Sequence, residues 1–413
     1  MRIPRGRAQP DLDADLARCV DFMRRLVRTP SLPGHEGELA ALVRAEMESL
    51  DYDEVRVDGA GNVLGLVRGR GEAPPLLFNT HLDHVDVGDP ARWPHPPFDA
   101  VVEGDRVWGR GTVDIKGPLA AQVIAGARLL RGGRPPGDVW VTCTVQEEIG
   151  GAGARFLARD PPARLVVIGE PSRCQVRRGH RGRYELIAHV LGRSVHASVP
   201  AQGANPLFPL ARFLERMAEV GLPEHPELGV ATVAPTLVRT DQTSGNVVPG
   251  EVWLTLDHRA VPGEDVDELA ASFDVLLARC ARELPAAFST KIAVDRSEML
   301  TYTGLSIPGA GENPPFVLAA SHPAVVATCA IVAETLGRNA GLDVWRFATD
   351  GGHFAAAGMA PIGFGPGDDR LAHTVDEHVE ISELREAIVV NEALARKLTA
   401  RVGSRAGLAE KES

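Results

Sequence analysis

Three short apolar runs, PLLFNTH, VWVTCTV and RLVVIGE, each end on or lead directly into chemically active side chains: His81, the pair Glu147–Glu148, and Glu170. Apolar runs of this length, bounded by turn residues, suit strands buried on both faces. Helical periodicity is predicted over residues 12–27, 36–50 and 118–130, the last with Pro118 in its first turn. Strands alternating with helices give an α/β fold. Open α/β sheets bind ligands beyond the carboxyl ends of their strands. The runs therefore constrain the fold and the place of the site together.

At 413 residues the chain is long for a single core. Its middle changes character. GRYELIAHVLG, a helix over 206–220, VATVAPTLVRT, VPGEVWLTLDHRA and a helix over 266–283 read as a small antiparallel sheet carrying two helices. Beyond about Glu298 a long apolar helix (324–336) and PIGFGPG return to the first pattern. The simplest account is a catalytic domain, 1–178 and 299–413, interrupted by an inserted α+β domain over 179–298. The final RVGSRAGLAEKES is polar and small, so it is expected to fray.

Composition excludes several classes. A net charge of -11 offers no basic surface for nucleic acid. Cys19, Cys143, Cys174, Cys280 and Cys329 are scattered and form no CxxC, so free buried thiols are expected rather than disulfides or a sulfur-ligated metal. No window is apolar enough to be a signal peptide or a membrane span, and a cytoplasmic location follows as the expectation.

The candidate site is an ordered set: His81 and Asp83 in NTHLD, Asp114 in GRGTVDIKG, Glu147 and Glu148 in VQEEIGG, Glu170 in IGEP and His373 in LAHT. Taken singly, each has a plain reading. An isolated histidine is more often a satisfied core residue, adjacent glutamates a solvated helix start, and Asp114 a cap for the following helix. Together they form a mixed imidazole and carboxylate set suited to two divalent ions such as zinc. Two ions sharing a carboxylate and a water can polarise a carbonyl and generate hydroxide near neutral pH. A carboxylate outside the ligand set is still needed as general base, and adjacent glutamates can divide those two jobs. Asp83 is placed to accept the second imidazole N–H of His81. His84, His95 and His378 are read as structural or exposed.

With these motifs, and with GRSVHASVP, NVVP and LDHR, the sequence resembles the dinuclear zinc amidohydrolase and exopeptidase family. That family includes acetylornithine deacetylase, succinyl-diaminopimelate desuccinylase and glutamate carboxypeptidase. The resemblance covers nearly the whole chain and implies a zinc-exopeptidase-like mixed sheet flanked by helices, the insert acting as lid and dimerisation domain. It implies that His81, Asp114 and Glu170 hold one zinc, and that Glu148, His373 and the shared Asp114 hold the other. Cobalt or manganese could replace zinc. Glu147 becomes the general base, and His196 stabilises the oxyanion in the partner subunit's site. Arg259 and Asn246 bind the substrate carboxylate. A cis peptide is implied at Asp114–Ile115. The glycine-rich TDGGHF matches the desuccinylase-like segment only in part; on that match Thr349 and Gly351 contact substrate, while His353 has no counterpart.

The expected activity is metal-dependent hydrolysis of a linear amide, removing the acyl group from an N-acyl amino acid in a homodimer. A dipeptidase or carboxypeptidase is the alternative within the family. A metal-free, non-catalytic binding protein is the alternative outside it, but would lack a ligand or the base, and every such position here is filled.

Overall fold

The computed structural model describes residues 11–403, so the polar tail from residue 404 onward lies outside the described residues. Contacts divide the chain into two units. One comprises the chain up to His180, Glu298–Pro308 and the chain from Val317; the other comprises Arg181–Ser297 and Gly309–Phe316.

The first unit is built on a mixed sheet. Eight of its strands are β1 (Glu54–Val57), β2 (Val63–Val67), β3 (Leu76–His81), β4 (Val139–Thr144), β5 (Leu165–Ile168), β6 (Val176–His180), β7 (Leu342–Trp345) and β8 (Ala360–Gly363). They run in the order β1-β2-β4-β3-β5-β8-β6, with β7 against β6. The block β4-β3-β5-β8 is parallel, while β1, β2 and β6 pair antiparallel at its flanks. Every residue of β3 and β5 is buried, as expected of parallel strands covered on both faces. Helices Leu12–Val27, Gly117–Arg131 and Ile381–Gly403 pack together beside the sheet. Arg128 ties all three, bonding Asp15 at 2.5 Å and Glu392 at 2.6 Å. Asp11 caps the first helix by accepting the N–H groups of Asp13 and Ala14.

The second unit is an antiparallel sheet of Thr232–Thr240, Glu251–Arg259, Arg183–Leu191 and Ser289–Val294, in that order. Burial alternates along Glu251–Arg259. Val252, Leu254 and Leu256 join Leu186, Ala188 and Val190 in a core covered by helices Leu207–Arg216 and Val266–Arg282. The helix expected over 206–220 ends at Arg216 and continues as a tighter turn, Met217–Glu219. Gly309–Phe316 belongs to this unit as well, because Glu312 and Asn313 pair with Tyr184 and Arg183.

All five cysteines are free; four are buried and Cys329 is half-buried. Among the described residues no helix is long and apolar enough to cross a membrane.

Candidate metal centre

Strand register assembles the site. His81 ends β3 opposite Thr144 of β4, and Asn79 lies opposite Ile168 of β5. Glu170, two residues past Ile168, is thus level with His81, and the Glu147–Ile149 turn begins just past Thr144. That turn is entered through Gln146 in the left-handed region (φ 56) and left through Gly150 (φ 137) and Gly151 (φ 69). A Cβ on Gly151 would lie 2.5 Å from His353 Nε2 and 3.0 Å from Asp350 Oδ1, so both its conformation and its surroundings demand glycine. Asp114 follows Gly111 (φ 81) on the loop before the Gly117–Arg131 helix, and the Asp114–Ile115 peptide is cis. Asp114 does not cap that helix, whose N-cap is Lys116. His373 sits on the loop after β8.

Two triads result, and they share Asp114. His81 Nε2 lies 3.0 Å from Asp114 Oδ1 and 3.5 Å from Glu170 Oε1. His373 Nε2 lies 3.1 Å from both Asp114 Oδ2 and Glu148 Oε2. Each oxygen of Asp114 therefore faces a different histidine. Tetrahedral zinc ligands at about 2.0–2.1 Å from the ion stand about 3.3 Å from one another, which falls within the observed spread. The donor set and its spacing fit two divalent ions.

The electrostatics point the same way. Burial pushes the carboxyls of Glu147 and Glu170 well above the usual range, although His81 opposes this, and raises Glu148 too. Burial also works against ionisation of Asp114, but hydrogen bonds from His373 and His81 outweigh it and hold that carboxyl below the usual range. Hydrogen bonds to Asp114 and Glu148 raise His373 to about 10. Burial disfavours protonation of His81, yet Asp114 and Asp83 prevail and hold it well above its ordinary value. A cluster this rich in buried carboxylates calls for positive charge, and without metal the imidazoles supply it as protons.

The family model for peptidase family M20/M25/M40 matches residues 77–397. The chain belongs to that family. It is accordingly a hydrolase acting on amide bonds. The M20 chain is 30% identical over 383 residues to the uncharacterized protein YgeY of Escherichia coli (strain K12), spanning 91% of this chain and 92% of that one. It is 30% identical over 387 residues to the succinyl-diaminopimelate desuccinylase of Alkalilimnicola ehrlichii, spanning 90% and 95%. Among solved structures, the di-peptidase Dug1p from Saccharomyces cerevisiae matches with a TM-score of 0.76 at 13% identity, covering 94% of this chain and 97% of that one. At that identity the likeness is one of fold.

Around the M20 triads lies a layer of buried acids, only one of which the sequence singles out. Asp83 meets three residues of the site. His81 Nδ1 is 3.0 Å from its backbone carbonyl and 3.4 Å from its carboxylate. The carboxylate itself accepts the N–H groups of Glu147 (3.1 Å) and Glu148 (3.0 Å). Asp83 thus orients His81 largely through its main chain and holds the glutamate pair through its side chain. Glu377, fully buried, accepts from the N–H groups of Val113 (3.0 Å) and Asp114 (3.2 Å) and pairs with Arg110 at 2.5 Å, fixing the Asp114 loop. Asp350 accepts the Thr144 hydroxyl (2.6 Å) and the Asn79 amide (3.2 Å), tying β3 and β4 to the glycine-rich segment. An acid between threonine and two glycines, in a run without other charge, was the available signal for Asp350. Glu377 sits in the acid-rich DEHVE, which reads as surface.

The expected substrate residues divide between the units. Thr349 and Gly351 are buried in the first, where the Thr349 hydroxyl accepts the Gly351 N–H at 3.0 Å. His353 is buried beside them, and burial lowers its imidazole to about 3, so it is neutral. In the second unit, His196 is exposed, its Nδ1 2.7 Å from Ser198 Oγ. It pairs in register with Val247, next to Asn246, whose carbonyl accepts the Ala197 N–H at 2.9 Å. Arg259 ends the strand Glu251–Arg259, its Nε donating to Asp257 at 2.6 Å. The structure brings His196 and Asn246 together on a separate two-stranded pairing, whereas Arg259 ends a strand of the larger sheet.

Proposed function

We propose that this M20 chain hydrolyses the amide of an N-acyl amino acid, releasing a carboxylate and a free amine. The observation that carries the proposal is the pair of triads sharing Asp114, with the buried carboxylate of Glu147 beside both and a member of neither. His81, Asp114 and Glu170 would hold one divalent ion, and Asp114, Glu148 and His373 the other. Two nitrogens among carboxylate oxygens suit zinc, with cobalt or manganese also compatible. Bound ions would supply a Lewis acid for the carbonyl and an acidified water.

The rest belongs to the chain. Glu147 takes a proton from the water as its oxygen attacks the carbonyl carbon. It returns that proton to the nitrogen as the C–N bond breaks. Asp83 holds Glu147 and Glu148 by their backbones through the step. Arg259, together with Asn246 of the partner subunit, receives the substrate carboxylate, and Thr349 and Gly351 shape the floor of the site. Arg259 remains able to bind because Asp257 takes mainly its Nε, leaving Nη1 to donate.

The kinship with desuccinylases favours a deacylase; a dipeptidase or carboxypeptidase uses the same centre on a peptide. A panel of N-acetylated and N-succinylated amino acids and dipeptides, assayed with added zinc or cobalt, separates them. The highest kcat/KM is expected on an N-acyl amino acid, and a dipeptide leading the panel would overturn that choice. Five free thiols support a reducing, cytoplasmic setting.

We further propose a homodimer through the second unit, acting as lid. Arg259 and Glu251 are eight residue steps apart on one strand, roughly 26 Å at 3.3 Å each. His196 and Asn246 lie past the Glu251 end of that strand, which supports a reading in which they serve the partner's site rather than the one that their own Arg259 serves. The strand Thr232–Thr240 also leaves an edge unpaired among the described residues, with Leu237 and Val238 exposed. Co-expressing His196→Ala with Glu147→Ala chains tests this. Hybrid dimers would contain one intact site, restoring about a quarter of wild-type activity from two inactive variants. No restoration would refute the shared site.

A further inference from the structure

We infer that Glu36 is a positioning residue for the reaction, holding the Glu147–Glu148 turn from the end of an N-terminal loop that braces three of the segments carrying the metal centre. The inference rests on Glu147 being the base. The loop joins the helices Leu12–Val27 and Gly37–Ser49, well before the motifs. At its start the Thr29 carbonyl accepts from Lys116 Nζ at 2.8 Å, two residues past Asp114. In its middle Ser31 grips both neighbours of Asp83. Its N–H donates to His84 Nε2 (2.9 Å), its hydroxyl donates to the Leu82 carbonyl (2.7 Å), and its own carbonyl accepts the His84 N–H (3.1 Å). At its end Glu36 Oε1 accepts the Gln146 N–H at 3.1 Å.

That last bond completes a pattern. The N–H groups of Gln146, Glu147 and Glu148 are consecutive, and all three are taken by carboxylates: the first by Glu36, the other two by Asp83. Gln146 has a left-handed backbone, which a side chain of its kind rarely adopts unless its surroundings fix it. Its side chain is anchored as well, Gln146 Nε2 donating to the Leu300 carbonyl at 2.8 Å. Glu36 is fully buried, and its second oxygen has no hydrogen-bond partner. Burying a carboxyl group is unfavourable even with backbone N–H groups of its own loop beside it, and an apolar residue would fill the space at lower cost. Retaining it makes physical sense if the Gln146 N–H must be held and the turn fixed. Without Glu36 that N–H is orphaned in the interior, and the turn can relax in a way that re-aims Glu147.

Three variants test the inference, assayed on the best substrate of the panel above with metal content measured on each. Glu36→Gln keeps an oxygen acceptor in reach and is expected to keep most of kcat. Glu36→Asp keeps the charge but withdraws it by one methylene, and Glu36→Ala removes the acceptor. Both are expected to lose about 10–100-fold in kcat, the usual scale for an outer-layer partner of a metal site, with KM within about twofold and two metal ions retained. Full kcat in Glu36→Asp or Glu36→Ala would overturn the inference. So would an equal loss in Glu36→Gln, or a loss that tracks missing metal. If Glu36→Ala does not fold, the Gln and Asp variants decide between them. Failure here with Glu147→Ala inactive removes only the brace, whereas an active Glu147→Ala removes the base assignment itself.

Discussion

Glu147→Ala is expected to lower kcat by about 10²–10⁴-fold, the range for losing a general base, while the purified chain keeps two metal ions. The expectation comes from position. Glu147 belongs to neither triad, yet it is adjacent to Glu148, which belongs to one, and its charge interacts with those of His81 and Glu170. Asp83 fixes its backbone, so the turn should survive removal of the side chain. Burial raises its proton affinity, which suits a group that must accept a proton from water and then surrender it to an amine. Glu147→Gln preserves shape and polarity without the base and should fall nearly as far. Glu148→Ala should behave differently, losing metal from the triad with His373. The pair of results, by steady-state kinetics and metal analysis, distinguishes base from ligand. Substantial turnover in Glu147→Gln at full metal content would rule the assignment out.

What the sequence made legible depended on how local each signal was. The parallel strands β3, β4 and β5 read as apolar runs, and the residues at their ends were visible as site candidates because they recur as one ordered set of imidazole and carboxylates. The paired glycines after Glu148 announced a turn, and the structure shows why: Gly151 faces His353 and Asp350 with no room for a Cβ. The inserted sheet showed through its alternation, as in Glu251–Arg259. The outer layer was illegible. Glu36 meets Gln146 across 110 residues and Glu377 meets Val113 across 264. Neither contact leaves a period, a spacing or a turn in the chain. Asp83 was found for one role, orienting His81, and its carboxylate proved to hold the glutamate turn as well. A motif names residues that touch ligand. The acids that hold the loops carrying them lie wherever the fold happens to pass beneath.

Removing metal with a chelator is expected to abolish turnover and to leave a chain whose thermal stability falls as pH rises from 6 to 9. The sign follows from the two kinds of group. His373 is raised to about 10 by its hydrogen bonds to Asp114 and Glu148, against an ordinary value of about 6.5 in the unfolded chain. Its contribution is fully present below the unfolded value and is lost as pH climbs through the folded one. Glu147 and Glu170, raised by burial, bind protons in the folded state that the unfolded chain has already released, so they too favour folding less as pH rises. Asp114 has the opposite sign, but its window lies below the ordinary carboxylate range and does not enter here. Metal reverses the trend, because each ligand must shed its proton to bind and metal affinity therefore grows with pH. Stabilisation by a bound ion increases with that affinity. The gap in Tm between zinc-loaded and chelator-treated protein should widen steadily across this range. A gap that is constant or narrows would mean that the two triads do not bind metal through these side chains.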